Sequence, residues 1–232
     1  MQEKTYLRNE SGHKISAILS KPEKESTTIV IMCHGLNSGK DSLTNIELEK
    51  VFLKHNIAVL RFDFFAHGES EGNKEDRSVN EFVDNVQKAI NYVKNLGYSK
   101  IGIYGASFGG VAAVIAASKN NDLIVMTLKA TGMGQASRKM MQYKKDFDNK
   151  SWIKCGEKVT IPTLIIHGTS DEDVEVKLGK DLSKAIKGSK LELYSGADHR
   201  FSRKDDFERM IKDISEFIIK YLIKGGRRAN CN

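Results

Sequence analysis

The residues Ile101-Gly102-Ile103-Tyr104 are strand-like, and Val111-Ala112-Ala113-Val114-Ile115-Ala116-Ala117 reads as a helix. Between them lies Gly105-Ala106-Ser107-Phe108-Gly109-Gly110, a very short join with one serine in the frame Gly-x-Ser-x-Gly. A chain that passes so abruptly from strand to helix is expected to strain Ser107 and to push its hydroxyl out above a sheet. Glycines two residues to either side suit that turn, because a Cβ there would strike the neighbouring strand or the start of the helix. The helix start also points free backbone N–H groups and its positive end at any charge developing beside the serine. This is the outline of an acyl-transfer site. The simpler reading is an ordinary strand–turn–helix join whose serine caps the helix. A base, an acid and oxyanion donors elsewhere in the chain decide between the two.

The chain of 232 residues suits one large α/β domain, and 40% hydrophobic residues supply a substantial core. Strands are expected at Lys4–Arg8 and Lys14–Leu19, joined by the turn signal Asn9-Glu10-Ser11-Gly12. Thr28–Cys33 is a continuous run and not an alternating one, as in strands covered on both faces, and Ile57–Phe62 reads as the next buried strand. Leu43–His55 reads as a helix, and Val79–Leu96 is amphipathic at three- and four-residue spacing. Strand Leu123–Leu128 follows the elbow; Ile161–Ile166 and Lys190–Tyr194 read as strands, Val174–Ile186 and Asp205–Ile223 as helices. Such alternation implies a mostly parallel central sheet flanked by helices.

Parallel sheets place their chemistry at the carboxyl ends of strands. Four such ends carry polar residues that fit one reaction: His34-Gly35-Leu36-Asn37, Ser107, His167 to Asp173, and Ser195-Gly196-Ala197-Asp198-His199. Serine, then acid, then histidine is the chain order that suits this elbow. These segments, with Arg61-Phe62-Asp63-Phe64-Phe65-Ala66-His67-Gly68-Glu69-Ser70-Glu71-Gly72, resemble the α/β-hydrolase family. Within it they are most similar to small serine esterases of the cinnamoyl/feruloyl esterase and monoacylglycerol-lipase-like group. The resemblance runs from about residue 4 to 223 and implies an α/β-hydrolase fold with a short lid insertion at about 131–159.

Ser107 is a weak nucleophile unless a base takes its proton. His199 is the candidate base, since imidazole titrates near neutrality and can hand the proton to the leaving alcohol. Asp171 would fix the imidazole tautomer and stabilise the imidazolium. Asp173, on the same loop, is its rival; the resemblance favours Asp171. Asp198 adjoins His199 in sequence and is discounted. The backbone N–H groups of Leu36 and Phe108 are the expected oxyanion donors. His34, His67 and His167 are expected to shape their turns. A metal set of His167, Asp171, Asp173 and His199 is weighed and set aside, because each member has another role. Met133, Met140 and Trp152 either line an acyl or aryl pocket or pack the lid onto the core.

Composition narrows the class. The net charge of +7 invites nucleic acid, yet lysines alternate with acids, as in Lys74-Glu75-Asp76-Arg77, so no binding stripe forms. Scattered Cys33, Cys155 and Cys231 argue against a disulfide framework or zinc cluster and for a cytoplasmic home. Neither a signal peptide nor a membrane span is expected. The tail 225–232 is expected to be disordered outside a single domain, 1–224. The expectation is a monomeric or homodimeric serine carboxylesterase, without cofactor, acting on a small or medium aliphatic or hydroxycinnamoyl ester. Alternatives on the same scaffold are a serine peptidase or amidase, an acyltransferase, or a non-catalytic ligand-binding protein.

Overall fold

The computed structural model describes residues 1–134 and 149–223. Met140 and the tail 225–232 lie outside the described residues. Eight strands form one sheet in the order β1-β2-β4-β3-β5-β6-β7-β8. They are β1 (Gln2–Arg8), β2 (Lys14–Ser20), β3 (Thr28–Cys33), β4 (Ala58–Phe62), β5 (Lys100–Ala106), β6 (Leu123–Lys129), β7 (Thr163–Gly168) and β8 (Lys190–Tyr194). The β1–β2 and β2–β4 pairs are antiparallel, and all other pairs are parallel. The helices among the described residues are α1 (Leu43–Lys54), α2 (Val79–Asn95), α3 (Phe108–Ala117), α4 (Asn149–Cys155), α5 (Val176–Ala185) and α6 (Lys204–Leu222). No helix among them is long and apolar enough to cross a membrane.

Strand alternation splits the core into two layers. Ile29, Ile31, Ile101, Ile103 and Leu128 face α2 and α3, whose Phe82, Val86, Ile90 and Val111 pack on them. Val30, Met32, Val59, Val125 and Ile166 face the other way, onto Leu48 and Phe52 of α1 and Met210, Ile214 and Ile218 of α6. β3, β4 and β7 are buried along their whole length, which is why their sequences lack polar–apolar alternation.

Two loops at the carboxyl edge are tied together by buried charge. Asp63, just past β4, accepts the Lys40 ammonium at 2.5 Å and the Lys40 N–H at 2.8 Å. Both side chains are almost fully buried, so each charge depends on the other. Asp63 also accepts the Glu69 N–H at 3.0 Å, which closes the glycine-rich 63–70 loop against the segment after β3.

Candidate active site

The turn after β5 gives Ser107 φ 50° and ψ −121°, a left-handed conformation that costs a non-glycine residue about 1–3 kcal/mol. Its N–H is held by the Lys129 carbonyl at 2.8 Å. A Cβ on Gly105 would stand 2.6 Å from Gly110 Cα, and one on Gly109 would stand 2.2 Å from the His34 carbonyl oxygen. Those contacts are the helix start and the end of β3 that the frame anticipates. The serine side chain makes no capping hydrogen bond to α3, so the helix-cap reading finds no support in the geometry.

Ser107 lines a cavity of about 360 Å³ together with Gly35, Leu36, Asp173 and His199. The His199 side chain is 19% exposed, and its Nδ1 lies 2.8 Å from Oδ2 of Asp171, whose side chain is fully enclosed. Among the described residues its Nε2 has no hydrogen-bond partner, so that nitrogen is left for the cavity. Asp171 Oδ1 accepts the N–H groups of Asp173 at 3.0 Å and Val174 at 2.8 Å. His167 Nε2 stands 3.2 Å from Asp171 Oδ2 and 3.0 Å from the Val174 carbonyl oxygen. Two acceptors around one nitrogen fix the proton there. Burial pushes the Asp171 carboxyl up, but hydrogen bonds from His167, His199 and Val174 outweigh it and hold it well below the usual carboxylate range. Asp173, the rival acid, is exposed, and among the described residues its side chain makes no hydrogen bond or ion pair with His199.

The turn that follows β3 carries the second oxyanion candidate. Among the described residues the N–H groups of Leu36 and Phe108 meet no acceptor, although both residues are buried. Buried amides are nearly always paired, so two unpaired donors beside one serine are informative. A Cβ on Gly35 would lie 3.3 Å from Ser107 Cβ, which shows how closely this turn approaches the serine. His34 holds the turn: Nε2 accepts the Phe64 N–H at 3.0 Å, so Nδ1 carries the proton and donates to the Gly35 carbonyl at 2.7 Å. His67 Nε2 lies 2.6 Å from the Leu36 carbonyl oxygen.

Burial lowers the His34 pKa to about 4, against the Gly35 hydrogen bond, which raises it. The unfolded chain binds a proton near pH 6.5 that the folded protein refuses, so stability is complete above that pH and falls below it. His67, lowered by burial, acts in the same direction. Urea unfolding at pH 7 and pH 5 is expected to differ by about 2 kcal/mol through His34 alone. His34→Gln should flatten that slope; an unchanged slope would assign the loss to other groups.

A family described as an alpha/beta hydrolase domain matches residues 26–221. The chain belongs to the α/β-hydrolase family. Alpha/beta hydrolase domain-containing protein 17B of Xenopus tropicalis is 22% identical over 220 residues, 93% of this chain and 75% of that protein. Among solved structures, Est1E from Butyrivibrio proteoclasticus with ferulic acid bound superposes with a TM-score of 0.80. It is 22% identical, covering 93% of this chain and 98% of that one. The Pyrococcus furiosus esterase Pf2001 gives 0.80 at 19% identity, covering 96% and 93%. These α/β-hydrolase neighbours are esterases.

Two other sequence expectations divide. Met133 and Trp152 are buried in the apolar layer facing α2 and α3, and neither is among the residues lining the cavity. Packing onto the core is the reading their positions support. The cavity also draws on residues that sequence reasoning did not single out: Tyr104 and Lys129 from the sheet, and Ser42, Thr44 and Asn45 from the start of α1. The sequence suggests His167 only as a turn former; the four-residue step from His167 to Asp171 is the signal that pairs them.

Proposed function

We propose that this hydrolase cleaves carboxylic esters of small or medium size through an acyl-enzyme on Ser107. The observation that carries the reading is a strained serine sharing one cavity wall with a histidine whose far nitrogen is hydrogen-bonded to a buried carboxylate. In the first half-reaction Ser107 Oγ attacks the ester carbonyl carbon and gives its proton to His199 Nε2. The carbonyl oxygen becomes an oxyanion and takes the Leu36 and Phe108 N–H groups, which meet no other acceptor among the described residues. Collapse of the intermediate breaks the ester C–O bond, and His199 returns the proton to the departing alcohol. Water then repeats the sequence on the acyl-enzyme and releases the acid and free Ser107.

Asp171 serves this cycle by accepting from Nδ1, which leaves Nε2 free to act as the base. The cavity lies at the small end of the range for ligand sites and suits a compact ester. Reaction with a fluorophosphonate, followed by peptide mass spectrometry, tests the assignment. The expected adduct sits on Ser107, and turnover of aliphatic or hydroxycinnamoyl esters exceeds that of aminoacyl anilides. An unlabelled protein, or a label on another residue, would refute it.

A further inference from the structure

Part of the cavity lining has no task in acyl transfer. Tyr104 and Ala106 on β5 pair with Thr127 and Lys129 on β6, so these side chains share the sheet face beneath α1 and α6. Tyr104 is fully buried, lines the cavity, and its hydroxyl has no hydrogen-bond partner among the described residues. The neighbouring Thr127 hydroxyl is buried and likewise has no partner among the described residues. Lys129 lines the same cavity and, among the described residues, its ammonium forms no ion pair or hydrogen bond. The ring of Phe201 lies 5.3 Å from Nζ.

The start of α1 adds to this polarity. Ser42, its N-cap, takes the Asn45 N–H, while the Leu43 and Thr44 amides find no acceptor among the described residues. Helix N-terminal amides, an ammonium and a phenol are all donors to anions. Arg200 also lines the cavity, and the carboxylate there is the exposed Asp173. Burial lowers the Lys129 ammonium to about 8; Asp171 and Asp198 oppose that shift and Arg200 adds to it. A half-buried ammonium with no anionic partner among the described residues, next to a buried hydroxyl that also lacks one, leaves donors that a ligand can complete.

We propose that Lys129, the Tyr104 hydroxyl and the first amides of α1 form a subsite for a free carboxylate on the substrate, so that the preferred esters are half-esters of dicarboxylic acids. The inference rests on the ester-hydrolase reading. Charge-assisted hydrogen bonds from these donors would fix one carboxyl group while the esterified one meets Ser107. An uncharged ester of the same length would leave the donors unsatisfied, and such sites discriminate strongly.

The test compares monoethyl glutarate with ethyl pentanoate, which match in chain length. At pH 7 the kcat/KM ratio is expected to favour the half-ester by roughly tenfold to a hundredfold, as for hydrogen bonds to a charged group. Lys129→Met should bring the ratio near one, and Tyr104→Phe should remove part of it. Raising the pH through the Lys129 range should shrink the ratio in the unaltered protein, which guards against a poorly folded variant. A ratio near one from the start, or one indifferent to Lys129, overturns the inference. Calorimetric binding of monoethyl glutarate to Ser107→Ala, with and without Lys129→Met, reads the subsite without turnover. Binding weakened by the second substitution supports the subsite even if hydrolysis fails, whereas absent or Lys129-independent binding overturns it. Fluorophosphonate labelling reports on the hydrolase reading alone.

Discussion

Ser107→Ala is expected to lower kcat for ester hydrolysis by about a millionfold while the protein stays folded. The size follows from the cooperative use of the site: without the hydroxyl, neither the base on His199 nor the acyl-enzyme route has anything to act on. What remains is catalysis by the oxyanion donors and binding, typically about 10³-fold over water. Stability should not fall with activity. Ser107 already holds φ 50°, so alanine inherits the same strain and loses no capping bond. Ser107→Gly should be more stable than Ser107→Ala by about 1 kcal/mol, because glycine tolerates that backbone. Activity on a short-chain p-nitrophenyl ester and thermal unfolding of both variants check the two halves. Turnover surviving in a well-folded Ser107→Ala protein would remove the serine from the mechanism.

The elbow was legible because its geometry leaves few residue choices. Gly105 and Gly109 stand where backbone from α3 and β3 approaches within van der Waals contact, and only glycine fits. Helix boundaries were less legible for the same reason. Propensity places the start of α3 at Val111, since Gly109 and Gly110 are poor helix formers, yet the helix begins at Phe108. Tight packing against β3 outweighs the intrinsic cost. α5 begins at Val176 and not at Val174, because the Val174 N–H binds Asp171 and its carbonyl lies against His167. Apolar periodicity carries no record of such local commitments.

Tyr104 and Lys129 stayed hidden for a different reason. Each sits in a run whose apolar residues signal a buried strand, and one aromatic or one terminal lysine does not disturb that signal. Only the pairing of β5 with β6 shows that they share a face and open onto the same cavity. Chain order at strand ends puts forward the histidine and the acid loop, and the resemblance already favours Asp171 over Asp173; the fold adds the contact between Asp171 and His199. Two residues apart in a loop, the two acids differ in that the Asp171 side chain is enclosed and Asp173 is exposed.

That difference sets up the second large expected effect: Asp171→Asn should cut kcat about 10⁴-fold, while Asp173→Asn changes it by about twofold or less. Asp171 Oδ1 is committed to the N–H groups of Asp173 and Val174, so an asparagine there would keep its oxygen on that side. Its amide would then point a donor at His199 Nδ1, where the carboxylate now accepts at 2.8 Å. The imidazole must turn Nδ1 into an acceptor and carry its proton on Nε2, the nitrogen that should take the Ser107 proton. The base is present but in the wrong tautomer. The same amide faces His167 Nε2, whose proton now lies between two acceptors, so one donor–donor contact is added in a buried site. A loss of about 1–3 kcal/mol in stability should accompany the loss of rate. Asp173 has neither contact, and its exposed carboxylate can be neutralised without disturbing the histidine. Steady-state kinetics of the two variants on one ester, with urea unfolding of each, separates them. The opposite order of rates would move the acid two residues along the loop and leave Asp171 as a fixed point of the turn.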